Sequence, residues 1–526
     1  MIGFVTLYQN RQTHRRIQTY SRFTCVAYIF IRNLKLLTHK SKRGIMAKSI
    51  MIQGAGSNVG KSMIVAGICR ALSNRGFKVS PFKPQNMSNN AAVTKDNGEI
   101  GRAQALQAIA SRIEPHSDLN PVLLKPESEI GSQVIVNGKR IATVKAREYA
   151  KLKPQLLNAV MKSFNRLKED SDFIIIEGAG SPAEVNLRKG DIANMGFAEA
   201  ANVPVVIIGD IDRGGVIAQL VGTKAVLDPA DSERIKGFII NKFRGDISLF
   251  DDGLTITEEK TNWLSLGVIP WFDKANILPA EDILDISSSE GGPINIVVPK
   301  LRRIANFDDL DPLKIEPSIS LKIIERGNPL PQDSQLILIP GSKSTISDLE
   351  DFYSQGWDID LKAHVRRGGR VLGICGGYQM LGKMIHDPHG IEGPPKSIPG
   401  LGLLNIETTM SEQKTLQEVT AITTDGNLKV KGYEIHIGQS VGKDLENSWL
   451  KINNKNVSAA SIDGKIKGCY LHGLFSNDAF RSDYIAALGA NTSSINFEES
   501  IDNTLNSLSK HIEKYLDLDK LIKLSR

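Results

Sequence analysis

The chain has 526 residues, 41% of them hydrophobic and 23% charged, with a formal charge of +7; this is ordinary globular composition and excludes collagen-like and disordered classes. No apolar run approaches the ~18 residues that cross a bilayer. Nine Lys/Arg and no Asp/Glu fall in residues 1–45, which leaves 56 basic against 58 acidic residues from Met46 onward, so the body carries no basic footprint for a nucleic-acid backbone.

At roughly 150 residues per domain the length predicts two to four domains. Four cysteines (Cys25, Cys69, Cys375 and Cys469) are too few to staple a chain this long, so each is expected as a reduced thiol in a reducing compartment, the cytoplasm. The leader, residues 1–45, has the Arg-rich, acid-free composition of a transit peptide. A strand leading into a phosphate loop begins at Ser49, so Met46 is expected as the working start, with the leader outside the fold.

From Ser49 the apolar runs Ile50–Gln53, Phe173–Ile176, Val205–Ile208 and Phe238–Ile240 alternate with helical-period segments. Near-continuous apolar strands alternating with helices predict a parallel sheet covered on both faces. The segment Ser287-Ser-Ser-Glu-Gly-Gly292 reads as a linker. After it the pattern restarts with Ile294–Val298, Leu336–Ile339 and Arg370–Ile374. Leu505, Leu508, Ile512, Tyr515 and Leu516 predict an amphipathic helix that packs back. The expected organisation is α/β, with tandem parallel-sheet domains at residues 46–286 and 293–480 and a helical segment at 481–526.

Gly54-Ala-Gly-Ser57-Asn-Val-Gly60-Lys61-Ser62 stands between an apolar strand and a helical stretch. Glycines let successive N–H groups turn toward phosphate oxygens, and the helix N-terminus adds its dipole. Lys61 is expected on the β/γ-phosphates of ATP and the Ser62 hydroxyl on Mg²⁺. Five residues, not four, separate Gly54 from Gly60, the variant spacing of ATP-dependent ligases and partition ATPases. Mg²⁺ wants a second hard oxygen, and Glu177, at the end of Phe173–Ile176, is placed to deliver it. Asp210 and Asp212 are weaker candidates. Asn241 could read adenine or serve an ordinary turn.

Arg370-Val-Leu-Gly-Ile-Cys375-Gly-Gly377 is a strand that breaks into Gly-x-Cys-x-Gly before a helical stretch, Tyr378–Met384. This is the thiol form of a nucleophile elbow. The helix N-terminus favours thiolate, and the Gly376 N–H, with a donor from the Gly341-Ser342 turn, could hold an oxyanion. A thiol nucleophile needs a base. His436 in Gly432-Tyr-Glu-Ile-His-Ile-Gly438 and His472 in Gly468-Cys-Tyr-Leu-His-Gly473 both follow strand-like runs, and spacing does not choose between them. Cys69 and Cys469 lack the elbow setting and read as core.

Lys83-Pro-Gln-Asn-Met-Ser88, Gly101-Arg-Ala-Gln-Ala-Leu-Gln107, Asn120-Pro-Val-Leu-Leu-Lys-Pro126, Glu177-Gly-Ala-Gly-Ser-Pro-Ala-Glu-Val-Asn-Leu187, Asp191-Ile-Ala-Asn-Met195, Gly209-Asp-Ile-Asp-Arg-Gly-Gly215, Pro340-Gly-Ser-Lys343 and Tyr470-Leu-His-Gly473 span most of the chain. With them the sequence resembles the cobyric acid synthase family. That resemblance implies a dethiobiotin-synthetase-like ATP domain followed by a class I glutamine amidotransferase domain. It further implies ATP-driven amidation of four carboxylates of adenosylcobyrinic acid a,c-diamide, and it selects His472 over His436. In the wider amidotransferase class a Glu two residues after the catalytic His orients it; here that position is Leu474. The resemblance therefore implies a Cys–His dyad, with Glu434 as a guess for the orienting group. Gln85, Asn86, Ser88, Asn89, Asn90 and Arg102 suit a corrinoid rim rich in amides and carboxylates. Two rivals remain open at this point: the sibling that amidates the a and c carboxylates of cobyrinic acid, and a partition-type ATPase with a fused interaction domain. Sequence says nothing of oligomeric state or of an ammonia path.

Overall fold

The computed structural model describes residues 47–126, 131–279, 286–491 and 493–526; the basic leader at residues 1–45 lies outside them. The N-terminal apolar runs form one six-stranded parallel sheet. Its spatial order is Leu264–Pro270, Ile235–Phe243, Val205–Asp210, Lys48–Gly54, Phe173–Glu177, Val79–Phe82. The inner strands are buried along nearly their whole length, which is why they read as continuous apolar runs. Ile52 pairs with Glu177 on one side of the central strand and Gly54 with Ile208 on the other. Glu177 and Asp210 therefore emerge on either side of the loop that follows Gly54.

The second parallel sheet runs Ile319–Ile324, Ile294–Pro299, Leu336–Ile339, Arg370–Ile374, Ile466–Cys469, with Ser458–Ala460 antiparallel at its edge. Cys375 follows the strand Arg370–Ile374, and Ile374 pairs with Cys469, so the elbow and the Tyr470–Gly473 segment leave the sheet side by side. The helix after Cys375 spans Gly376–Leu381, shorter than the pattern suggests, because Gly382 is extended and Met384–Asp387 forms a strand.

Two further sheets, mostly but not wholly antiparallel, are added, and the apolar periodicity does not announce them. One contains the long hairpin Glu407–Thr423/Lys429–Val441, to which Leu471–His472 adds with Tyr433 opposite His472. The other joins Gln85–Met87, Val122–Pro126, Gly131–Val136 and Lys139–Lys145. The two meet: Ala91, Val93, Leu123 and Ile135 from the first half pack in one buried cluster with Tyr433 and Ile435 from the second.

The chain then returns to its beginning. The helix Phe497–Tyr515 lays Ile501, Leu505, Leu508 and Ile512 into the core of the first sheet, with Ile64 and Ile68 of the helix Lys61–Asn74 in the same cluster. The contact is close enough that a Cβ on Gly67 would stand 2.6 Å from Ile512. Arg70 pairs with Asp502 at 2.8 Å. The backbone N–H of Arg526 donates to Ser49 O at 3.1 Å, and the Ser49 N–H donates in return.

Candidate active site

At the phosphate loop, Gly60 takes φ +90°, a conformation open to glycine, and turns the chain into the helix that starts at Lys61. The Lys61 ammonium folds back over the loop, donating to Gly56 O at 3.4 Å and Gly180 O at 3.3 Å. A Cβ at Gly54 would meet Gly56 O at 2.8 Å and Lys61 Nζ at 3.0 Å. Ser57 is exposed at the crest of the loop.

Ser62 Oγ donates to Glu177 Oε1 at 2.7 Å. Lys83 Nζ donates to the same oxygen at 2.8 Å and Gln107 Nε2 to Oε2 at 2.5 Å, so a buried carboxylate is held at the loop's mouth. Among the described residues no group of three or more His, Cys, Asp or Glu could cage a cation. The Ser62–Glu177 pair fits Mg²⁺ as a two-oxygen foothold whose other ligands come from phosphates and water, the usual situation at nucleotide sites. Asp210 and Asp212 are engaged elsewhere, with Lys242 at 2.9 Å and Arg244 at 2.6 Å. Asn241 Nδ2 donates to Val59 O at 2.8 Å, which ties the loop to the neighbouring strand.

At the thiol, Cys375 has φ +52° and ψ −108°, strain of the kind stored at functional sites. Its neighbours must be small: a Cβ at Gly377 would lie 2.1 Å from Ile339 O, and one at Gly376 would lie 2.8 Å from Ser342 N. The Gly341-Ser342 turn thus abuts the residue after the thiol.

The Cys375 thiol donates to Ile435 O at 3.6 Å and lines one cavity with the fully buried His472. Burial opposes charge on this imidazole, but Asp309 and the Cys375 side chain hold it up to about 10, which favours the imidazolium. His472 Nδ1 lies 2.7 Å from Asp309 Oδ2, and the Gly473 N–H donates to Asp309 Oδ1 at 2.6 Å. His436 instead stacks on Tyr470, with centroids 3.8 Å apart, and places Nδ1 3.2 Å from Gly438 O. Burial pushes it down to about 4. Cys69 and Cys469 are buried free thiols whose acidity burial weakens.

Asp309 is the residue that sequence reasoning missed. It sits on the turn Phe307–Leu310, in a segment with three aspartates and no spacing rule to choose among them. Glu434, the guess, is paired with Leu471 and not with His472. Alternation along a strand sends it to the opposite face, where it accepts from Gln417 Nε2 at 2.8 Å.

The polar cluster expected at a corrinoid rim is partly internal. Asn86 and Asn90 are buried, with Asn86 bonded to Gln104 at 2.9 Å, and Gln85 accepts from Tyr149 at 2.6 Å. Arg102 points into the second domain, where it meets Asp308 at 2.5 Å. A second buried link crosses between the halves: Glu99 receives Lys125 at 3.0 Å and is also bonded to Lys414. The cavity over Cys375 is lined from both halves, by Lys125, Gln133 and Arg140 of the first and by Lys343, Gln379 and His472 of the second.

Residues 50–285 match the family described as the CobQ/CobB/MinD/ParA nucleotide binding domain, and residues 295–480 match the CobB/CobQ-like glutamine amidotransferase domain. A cobyric acid synthase of Rhodobacter capsulatus is 58% identical over 480 residues, covering 91% of this chain and 100% of its own length. One from Bradyrhizobium diazoefficiens is 58% identical over 482 residues, with the same coverage of both chains. The chain belongs to the cobyric acid synthase family. A solved structure described as a glutamine amidotransferase aligns with 37% of this chain and 99% of its own at 20% identity, with a TM-score of 0.28. Membership in the cobyric acid synthase family makes the chain a glutamine-dependent carbon–nitrogen ligase with a nucleotide-binding domain. Neither the a,c-diamide-forming sibling nor the partition ATPase is favoured.

Proposed function

We propose that this protein amidates the b, d, e and g carboxylates of adenosylcobyrinic acid a,c-diamide to give adenosylcobyric acid, using ATP and glutamine. The observation that carries the reading is the presence, in one packed unit, of a phosphate loop facing Ser62–Glu177 and a thiol–imidazole–carboxylate array at Cys375, His472 and Asp309.

In the second domain the Cys375 thiolate attacks the glutamine amide carbon. The Gly376 and Ser342 N–H groups face the oxyanion, and His472 gives its proton to the departing ammonia. His472 then takes a proton from the water that hydrolyses the thioester to glutamate. In the first domain the substrate carboxylate accepts the γ-phosphoryl group of ATP, with Lys61 neutralising charge, and ammonia displaces phosphate from the resulting acyl phosphate. Gly54, Ser57, Gly60, Lys61 and Ser62 form the phosphate cradle. Ser62 and Glu177 would hold Mg²⁺, which would supply charge neutralisation at the phosphates. The oxygens and nitrogens of Gln85, Ser88 and Asn89 remain the partly exposed members of the polar cluster for the corrinoid. We assign the enzyme to the cytoplasm, without nucleic-acid or membrane partners; among the described residues no helix is long and apolar enough to cross a membrane.

The test is incubation with ATP, Mg²⁺, glutamine and the a,c-diamide, followed by mass spectrometry of the corrinoid. Four successive amidations are expected. An unchanged diamide, with glutamine hydrolysed or not, would remove the reading.

A further inference from the structure

Two groups set the plane of the His472 ring. Asp309 holds its edge through Nδ1, and Tyr433 lies flat against its face, with centroids 5.1 Å apart and planes 12° from parallel. Both are fixed by one side chain from the other domain. Arg102 Nη2 reaches Asp308, the residue before Asp309, at 2.5 Å and the Tyr433 hydroxyl at 2.8 Å. The same nitrogen donates to Ala91 O at 3.1 Å, and the Tyr433 hydroxyl donates on to Asp308 Oδ1 at 3.1 Å. Beside this knot, Asn306 accepts from the Ala91 N–H at 3.3 Å and stands 3.5 Å from His472 Nε2.

The side chains of Arg102 and Asp308 are only 18% and 12% exposed. A buried ion pair is a weak source of net stability, so what this one does is read from what it touches. An arginine fits this place because its always-charged guanidinium stands on a long stem and one terminal nitrogen, Nη2, reaches all three acceptors. The segment Phe307–Leu310 is a single short turn that follows Asn306 in a left-handed conformation, φ +52°. Phe307 and Leu310 root the turn in the core and the Gly473 N–H holds Asp309 Oδ1 at 2.6 Å; the Arg102–Asp308 pair is the hold on this turn that comes from the first domain.

Arg102 also opens the helix Arg102–Ala110, and Gln107 on that helix donates to Glu177 Oε2 at 2.5 Å and to Ser62 O at 3.3 Å. Five residues of helix, about 7.5 Å of rise, separate the group that steadies the glutaminase from the group that steadies the phosphate site.

We propose that Arg102 is a positioning residue of the glutaminase, supplied across the domain boundary: by fixing Asp308 and Tyr433 it sets His472 against Cys375, so the thiol site is complete only with the nucleotide-binding domain seated on it. The inference rests on the assignment of Cys375 and His472 to glutamine hydrolysis.

The experiment uses the full chain and four variants, R102Q, R102K, D308N and C375A. It measures kcat and KM for glutamine, ammonia-dependent amidation with KM for the a,c-diamide, and the rate of Cys375 alkylation by iodoacetamide. A misplaced catalytic group costs on the order of 100-fold. R102Q and D308N are therefore expected to lower kcat for glutamine by roughly that factor, with KM for glutamine nearly unchanged and alkylation slowed. R102K should fall between R102Q and the parent, because the ammonium keeps the positive charge but sits on a shorter stem that does not bring it to the place of Nη2 among Asp308, Tyr433 and Ala91. Ammonia-dependent amidation and KM for the diamide should stay at parental values in all of them. Parental glutaminase in folded R102Q or D308N overturns the inference. So does a raised KM for the diamide, which would return Arg102 to the corrinoid site, or a parallel loss of both activities, which marks a general structural role. If R102Q fails to fold, D308N, which keeps the side chain's shape, decides. Glutamine hydrolysis surviving in C375A would instead sink the assignment of the thiol itself.

Discussion

Asp309 and His472 lie 163 residues apart in the chain and meet at 2.7 Å through Oδ2 and Nδ1. A class I amidotransferase usually carries a carboxylate two residues past its histidine; here that position is Leu474 and the carboxylate beside His472 comes from the turn Phe307–Leu310. In the proposed reaction Asp309 would fix the tautomer with the proton on Nδ1 and stabilise the imidazolium.

Replacing Asp309 with Asn keeps the shape and removes the charge. Because the wrong tautomer becomes available, glutamine hydrolysis should fall by roughly 10³–10⁴-fold, as for other triad carboxylates. Amidation with free ammonia should continue. Steady-state assays with each nitrogen source decide the matter, and near-parental hydrolysis would reduce the site to a dyad.

Loss of the nucleophile separates the two halves of the reaction. Cys375→Ala and His472→Ala should each lose glutamine hydrolysis by several orders of magnitude and keep amidation from concentrated ammonia at alkaline pH. His436→Ala, which loses a ring stacked on Tyr470, should cost less than the ~10²-fold of a missing general base. A collapse of hydrolysis in the His436 variant would reverse the choice of base.

Lys61→Ala acts on the other side. Amidation should vanish with glutamine and with ammonia alike, because both nitrogen sources need the acyl phosphate, while circular dichroism shows an intact fold. Persistent ammonia-dependent amidation would take the loop out of the mechanism.

Glu99 yields a pH prediction. Burial works against its charge, yet Lys125 and Lys414 hold the carboxyl down to about 2 from 4.5. Its folded pKa lies below the unfolded one, so its contribution to stability is complete above pH about 4.5 and is lost as pH falls toward 2. Since Lys414 belongs to the second domain and Glu99 to the first, acid should loosen the contact between them. Glu99→Gln should flatten this acid limb in denaturant titrations and cost about 3 kcal/mol at neutral pH by stranding the buried Lys125 and releasing the half-buried Lys414. An unchanged acid limb would show that the cluster does not govern acid sensitivity.

Legibility followed the range of the interaction. The phosphate loop and the Cys375 elbow are local: glycines, a strand before and a helix after are all within ten residues, and each constraint leaves its mark in the residue types. The parallel strands were legible because burial on both faces writes a continuous apolar run. The hairpin Glu407–Thr423/Lys429–Val441 was not, since much of its first strand is only half-buried or exposed and its polar residues imitate a loop. Asp309 was hidden for a different reason. Its partner is remote, and Asp308, Asp309 and Asp311 look alike until the turn sends one to His472 and another to Arg102. The partners of Arg102 were not legible either: a basic residue in a polar motif suggests a ligand, and its contacts with Asp308 and Tyr433 are more than 200 residues away in the chain.

The return of the helix Phe497–Tyr515 to the helix Lys61–Asn74 has a consequence for synthesis. Arg70 finds Asn506 across a separation of 436 residues, and translation at about 5–20 residues per second puts roughly 20–90 s between their emergence from the ribosome. Throughout that interval the part of the helix surface at Gly67 that meets Leu508 and Ile512 lacks its cover, so the domain made first is the one finished last. A newborn chain halted anywhere in the amidotransferase domain should therefore leave that patch open to chaperones.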